Sequence, residues 1–218
     1  MIGGSDRRKC DKSAVTAPRG HKLAALPGAP DYKQPVTETR KLSAGSLLIV
    51  AWGVLGVAML LGQAIYRLAP LAIEPLRGGE LSSLQIVAYV GFAGFMGYSE
   101  GYRGFQKRFS PKVVTRAIYL MENPRPLHVL FAPAFCMAYF HATKRGLLTS
   151  WGVSSMVVVL IILVRGIAQP WRGIIDGGVV LGLSWGVGAL LYHTWVALRG
   201  GELDAQPELP ITDAAAAT

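Results

Sequence analysis

The fold of this chain is decided by the stretch GFMGYSEGYRGFQKRF, Gly94–Phe109, where an apolar run becomes basic. The run begins at Leu81 and holds no charged residue before Glu100. About 20 mainly apolar residues span the hydrocarbon core of a bilayer as an α-helix. Lys and Arg residues beyond such a helix favour the cytoplasmic side. The stretch therefore predicts a transmembrane segment that ends at a cytoplasmic membrane surface, with its helix continuing past Arg103.

Similar apolar runs recur along the chain, which is 51% apolar over its 218 residues. They predict an all-α fold, a polytopic membrane helix bundle over residues 43–199 that leaves no room for a second domain. The third run is short and carries Pro133 near its middle, which should kink the helix. The five predicted transmembrane helices are residues 46–66, 81–99, 126–143, 147–164 and 177–198.

The two ends of the chain are polar and differ in charge. Residues 1–42 hold nine Lys/Arg and four Asp/Glu with few large apolar residues. We therefore expect a disordered, basic cytoplasmic tail there. Residues 200–218 hold four acidic residues and no basic one, and we expect a disordered acidic tail.

The Lys and Arg residues orient the predicted helices. With five crossings, seventeen of the 22 Lys/Arg lie on the side of the N-terminus and five on the other side. The richer side is the cytoplasmic one, so the N-terminus is predicted inside and the C-terminus outside. The membrane is then a bacterial inner membrane or, if the N-terminal segment is a transit peptide, an organellar membrane. If the weak third helix is re-entrant, the C-terminus moves to the cytoplasm.

Residues 110–121 predict a short amphipathic helix, in which Ser110 can be the N-cap and Pro111 suits the first helical position. One face carries Val113, Ala117, Leu120 and Met121, and another carries Lys112 and Arg116. One interpretation is a cytoplasmic interfacial helix, with its apolar face in lipid and its basic residues toward head groups. The other is a connecting helix packed on its own bundle.

Small residues recur at helical spacing in two of the predicted helices. Steps of three or four residues, at about 100° per residue, keep each set on one side of its helix. Such faces let membrane helices approach closely, so we expect helix–helix contacts in a compact bundle. The glycines are Gly91, Gly94, Gly97, Gly101 and Gly104 in the second helix, and Gly178, Gly182 and Gly186 in the fifth.

Five charged residues fall near the predicted cytoplasmic boundary, namely Glu100, Arg103, Arg165, Arg172 and Asp176. Ionisable groups at membrane depth usually face a partner or a cavity. Three guanidinium groups against two carboxylates leave a positive excess, which suits an anionic lipid head group or an anionic substrate. The alternatives are a salt-bridge network that locks the helix ends and a proton-handling role for Glu100 or Asp176.

Two of the four histidines are candidate ligands of a haem iron or another metal. His141 and His193 each lie near the outward end of a predicted helix, and imidazole is a ligand for both kinds of centre. His141 shares a face with Ala134 and Ala138, and His193 falls within the arc of Gly178, Gly182 and Gly186. His128 lies thirteen residues before His141, about 140° away on one helix, and should not share its site. The alternative is that histidines near helix ends reach water or a backbone carbonyl.

The chemistry of the chain does not predict an enzyme, because no zinc spacing, P-loop or nucleophile–base set emerges from the order of its residues. The first hypothesis is a structural, assembly or accessory membrane protein that packs against a membrane-protein partner or a second copy. The second is a carrier or anionic-lipid-binding protein that uses the five charged residues. The third is a haem-binding electron-transfer subunit. The lipid bilayer is the partner common to all three, and no nucleic acid is predicted.

Overall fold

The computed structural model describes residues 44–79, 81–201, 203, 205 and 207–210. Every regular element within these residues is a helix, so the all-α prediction is confirmed. The predicted disordered tail of residues 1–42 lies outside the described residues, as does the end of the predicted acidic tail, residues 211–218.

Seven α-helices and one π-helical segment make up the described part of the chain. In order they are α1 (Ala44–Gly78), α2 (Ser83–Met96), the π-helical segment (Gly97–Phe109), α3 (Ser110–Glu122), α4 (Pro126–Leu130), α5 (Ala132–Cys136), α6 (Lys144–Arg165) and α7 (Trp171–Leu198).

Three of these helices, α1, α6 and α7, are long and apolar enough to cross a membrane. The chain between residues 126 and 143 is not, because α4 and α5 have five residues each, about 8 Å of helix. Pro126 and Pro133 lie at the first or second position of these short helices. A missing N–H is tolerated there, so each proline begins a helix instead of kinking a long one. The predicted third transmembrane helix is therefore wrong.

As predicted, the helix of the opening stretch continues past Arg103. It begins with a capping box at Ser82 and Gln85, whose side chains each accept the other residue's backbone N–H. Right-handed helical angles continue through Met96 and Phe109. α2, the π-helical segment and α3 therefore form one helical rod from Ser83 to Glu122, and the basic residues after Glu100 lie on it.

The core of the fold is formed by α1, the rod and α7. α7 runs antiparallel to α1, because Gly173 near its start lies against Pro75 near the end of α1, while Leu190 shares a buried cluster with Val54. In contrast, α6 stands at the side, and only Gly146 and Val164, near its two ends, are buried.

Both ends of the described chain lie at one end of the bundle, which we call the terminal end. Val50 near the start of α1, Ala197 near the end of α7 and Leu209 beyond it belong to the same buried cluster. The five-helix prediction places these two ends on opposite sides. The difference arises because residues 126–143 do not cross the bundle. Pro207 and Leu209 are buried, so this part of the predicted disordered tail is packed.

The predicted glycine face of α7 lies against the rod. A Cβ added at Gly178 would meet the ring of Phe92 at 2.6 Å, one at Gly182 would meet Cβ of Glu100 at 3.3 Å, and one at Gly186 would meet the ring of Phe105 at 2.7 Å. Residues that follow one another along α7 contact residues that follow one another in the same order along the rod, so the rod runs parallel to α7.

The glycines of the rod divide into two groups. Gly97 and Gly101 are buried against Leu181 and Trp185 of α7. Gly91 and Gly94 are exposed, and no described atom outside their own helix backbone and chain neighbours lies within 4 Å of an added Cβ. At Gly104 the nearest atoms belong to Ser99 and Glu100 of the rod itself. The rod thus contacts α7 with only part of its predicted glycine face.

α3 is packed inside the protein. Val113, Ala117, Leu120 and Arg116 are each at most 1% exposed. The interpretation with an apolar face in lipid and Arg116 toward head groups does not describe this helix, because α1, α5 and residues of the C-terminal tail cover it. The packing matches the other interpretation, a connecting helix on its own bundle.

Candidate functional site: a buried arginine among backbone carbonyl groups

α3 carries Arg116 into the core beside Val113, Ala117 and Leu120. The helical spacing of these residues places the guanidinium among apolar side chains, and only 1% of Arg116 is exposed. Burying an unpaired cation is unfavourable by several kcal/mol or more. The surroundings of Arg116 must therefore supply acceptors for its N–H groups.

Four backbone carbonyl oxygens accept hydrogen bonds from the Arg116 side chain. Nε donates to Phe135 at 2.7 Å and Nη1 to Pro207 at 2.7 Å. Nη2 donates to both Phe140 at 3.3 Å and His141 at 3.1 Å. The guanidinium carbon also lies 4.3 Å from the centre of the Phe135 ring, a cation–π geometry. Carbonyl dipoles and an aromatic face thus stabilise the charge.

The broken helix supplies three of these carbonyl groups. In a continuous helix the oxygens of Phe135, Phe140 and His141 would accept from N–H groups four residues on. After Cys136 the chain leaves helical geometry, and Ala138 and His141 have left-handed φ angles of 59° and 52°. Irregular backbone that is buried in protein needs hydrogen-bond partners from elsewhere in the chain, and Arg116 supplies donors for these three carbonyl groups.

Burial shifts the pKa of the thiol at this site. Desolvation raises the pKa of Cys136 to about 12, although the nearby Arg116 charge partly opposes the shift. Cys136 is therefore neutral at pH 7, and the site lacks the thiolate that nucleophilic chemistry would need.

Residues 207–210 (PELP), which we call the strap, cross α3 beside Arg116. Nζ of Lys112 forms an ion pair with Oε1 of Glu208 at 2.6 Å. The carbonyl oxygen of Glu208 accepts from the backbone N–H of Thr143 at 2.9 Å. The strap thus joins α3 to the start of α6.

The histidines pair differently from the sequence prediction. The rings of His128 and His141 lie 4.7 Å apart between centres, and both pack against Phe135. A single helix through both residues would keep the two rings apart, but the chain leaves helical geometry between them. His193 instead bonds the carbonyl oxygen of Ala189, one turn back on α7, at 2.8 Å. The described residues contain no group of three or more His, Cys, Asp or Glu that could hold a metal ion.

The five charged residues do not meet at one level of the bundle. Arg172 and Asp176 pair at the start of α7, with Nε and Oδ2 3.6 Å apart. Arg165, which is exposed, ends α6 just before them. Glu100 contacts α7 at Gly182, about 9 Å further along the helix than Asp176. Arg103 is exposed and lies nearer still to the terminal end.

The Arg116 site was not predicted from the sequence. The shared face of Lys112 and Arg116 was the available signal, because two basic residues four apart on an otherwise apolar helix require acceptors. The atoms that accept from Lys112 and Arg116 belong to residues 19 to 96 positions further along the chain. Helical periodicity carries no information about such distant partners.

No protein-family model, curated protein or solved structure matches this chain.

Proposed function

We propose that this chain is a multi-pass integral membrane protein with a structural, assembly or accessory role, exercised by packing against another membrane protein. The observation that carries the proposal is the exposure of α6. Its 22 residues form an apolar helix of membrane-spanning length, yet only Gly146 and Val164, near its two ends, are buried.

α6 is held at its start by polar contacts. Oγ of Ser150 donates to the carbonyl oxygen of Met137 at 2.6 Å, and the Trp151 indole donates to that of Tyr139 at 3.2 Å. Beyond them Val153, Met156 and Leu160 are exposed. In lipid, helices associate through close packing and interhelical hydrogen bonds. A fixed helix with free sides is therefore suited to receive a helix of a partner.

The proposed topology has four crossings: α1, the rod, α6 and α7. Both ends of the chain then lie on one side, with eighteen of the 22 Lys/Arg. The four on the other side are Arg67, Arg77, Arg165 and Arg172. The positive-inside rule makes the terminal end cytoplasmic, in the proposed setting of a bacterial inner membrane.

Site-specific photo-crosslinking tests this role. A photoreactive amino acid is placed at Val153, Met156 or Leu160 of α6, and at the exposed positions Leu55 or Met59 of α1 as controls. After irradiation of whole membranes we expect α6 to give a protein adduct of one defined mass, from a partner or a second copy, and α1 to give lipid adducts. Lipid adducts alone from α6, or the same protein adducts from both helices, would contradict the proposal.

Anionic lipid binding is a second candidate role, favoured by exposed basic residues on the rod. Arg103, Lys107 and Arg108 are exposed on the half of the rod nearer the terminal end. Each such residue near an anionic surface contributes about 1 kcal/mol. Native mass spectrometry from nanodiscs containing phosphatidylglycerol should show fewer retained anionic lipids when all three are changed to Ala. Arg77→Ala is the matched control, and an unchanged lipid count in the triple variant would rule this role out.

A further inference from the structure

The strap makes the contacts of a bound peptide. The Pro207 carbonyl oxygen accepts from Arg116, the Glu208 carboxylate pairs with Lys112, and the Glu208 carbonyl oxygen accepts from Thr143. Leu209 is 8% exposed and belongs to the buried cluster. Backbone hydrogen bonds together with side-chain pockets are the means by which proteins recognise extended peptides.

Most of the hydrogen bonds of Arg116 do not involve the strap. Of the four hydrogen bonds of Arg116, three go to Phe135, Phe140 and His141, none of which belongs to the strap. Only the bond from Nη1 to Pro207 is lost when the strap leaves. Because the strap itself covers that nitrogen, its departure admits water, which can take the place of the Pro207 carbonyl oxygen.

The contacts that hold the strap are individually weak. The side chains of Lys112 and Glu208 are 45% and 34% exposed, so solvent and salt screen their attraction. Glu208 also adopts a φ of 47°, in the left-handed region that disfavours residues other than glycine. The burial of Pro207 and Leu209 has to offset that conformational penalty.

We propose that the strap is a detachable ligand within the chain, and that the groove beside Lys112 and Arg116 is a binding site for extended peptide segments. The matching peptide presents a proline carbonyl, then a carboxylate, then a leucine side chain. The chain's own residues 207–210 occupy the site, and a segment of the same chemistry can replace them.

Thiol labelling of the full-length chain tests this proposal. Leu209→Cys is made with Cys10→Ser, and maleimide labelling at position 209 is followed in mild detergent at low salt. We expect labelling at least tenfold slower than in the unfolded chain. An excess of the synthetic peptide LDAQPELP, residues 203–210, should accelerate labelling at least fivefold, whereas the same peptide with Glu208→Lys should not.

Three further variants separate the proposal from a local effect of the label. Leu203→Cys repeats the measurement with Leu209 intact. Lys112→Glu should accelerate labelling, and Glu208→Lys in the same chain should restore protection by reversing the pair. Two results would overturn the proposal: rapid labelling of both reporter positions without peptide, or protection that the wild-type peptide does not change. In the first case the strap is not docked, and in the second it is a fixed part of the fold.

Discussion

Arg116 binds Phe135 in two ways. Its Nε donates to the Phe135 carbonyl oxygen at 2.7 Å, and its guanidinium carbon lies 4.3 Å from the centre of the Phe135 ring. An arginine can do both because its donors lie in the plane of the guanidinium and its faces are weakly hydrated. One side chain thereby fixes α3 to α5, and its remaining donors fix the strap and the broken segment after Cys136.

Removal of the Arg116 side chain should destabilise the protein strongly. Arg116→Ala leaves two buried and two part-buried carbonyl oxygens without this donor and opens a cavity, which together should cost about 3 kcal/mol or more. Arg116→Lys should recover only part of the loss, because an ammonium group cannot reach acceptors in the same fork. Thermal unfolding in detergent, followed by tryptophan fluorescence, measures both.

Arg108→Ala is the control for that series. Arg108 is exposed on the same rod, and exposed substitutions usually change stability by no more than about 0.5 kcal/mol. An Arg116→Ala variant that melts within a degree of wild type would show that the carbonyl groups find other donors.

Substitution by alanine should lower the stability of the protein at Gly173 of α7 but not at Gly91 of α2. In Gly173→Ala the new Cβ would overlap the Pro75 ring and lie 2.9 Å from the Leu71 carbonyl oxygen. Backbone cannot move aside cheaply, so overpacking should cost about 1–3 kcal/mol. Gly91→Ala meets no described atom within 4 Å and gains helix propensity, so its melting temperature should equal or exceed that of wild type. Equal losses in both variants would contradict the α1–α7 contact.

The parts of the fold that sequence predicts are those set by local pattern. α1, α6 and α7 follow from apolar runs, because composition and length fix a helix in lipid without reference to other segments. Spacing also places Gly178, Gly182 and Gly186 on one face. The spacing does not show which glycines lie against another helix. Gly91 and Gly94 follow the same spacing, but an added Cβ at either would meet no described atom within 4 Å.

The parts that sequence does not predict depend on distant segments. Pro133 fits equally well as a kink in a long helix or as the start of a short one. The short helix forms only if the carbonyl groups that lose their helical N–H partners find another donor. Arg116 is that donor. The pairing of His128 with His141 follows from the same break. The contact of Lys112 with Glu208 joins residues 96 positions apart, which no periodicity encodes.

Cys136 should be inert toward thiol reagents in the folded protein. Its pKa is raised to about 12, so its thiolate fraction at pH 8 is on the order of a thousandfold below that of an ordinary thiol with a pKa near 8.5. In a Cys10→Ser background, iodoacetamide should react slowly, with a rate that rises about tenfold per pH unit from pH 7 to 10. The chain unfolded in guanidinium should instead reach a plateau above about pH 9. A plateau near pH 9 in the folded protein would show that the thiol is not desolvated.

The position of the C-terminus separates four crossings from five. Because Val50 and Leu209 share one buried cluster, we expect a reporter fused after Pro210 to be cytoplasmic, on the same side as one fused to the N-terminus. A reporter inserted after Gly79, between α1 and α2, should be on the opposite side and is the internal control. Paired fusions, one active only in the cytoplasm and one active only outside, give complementary signals at each position. An external signal after Pro210 with a cytoplasmic N-terminus would restore the five-crossing topology, and residues 126–143 would then have to cross the bilayer despite their two short helices.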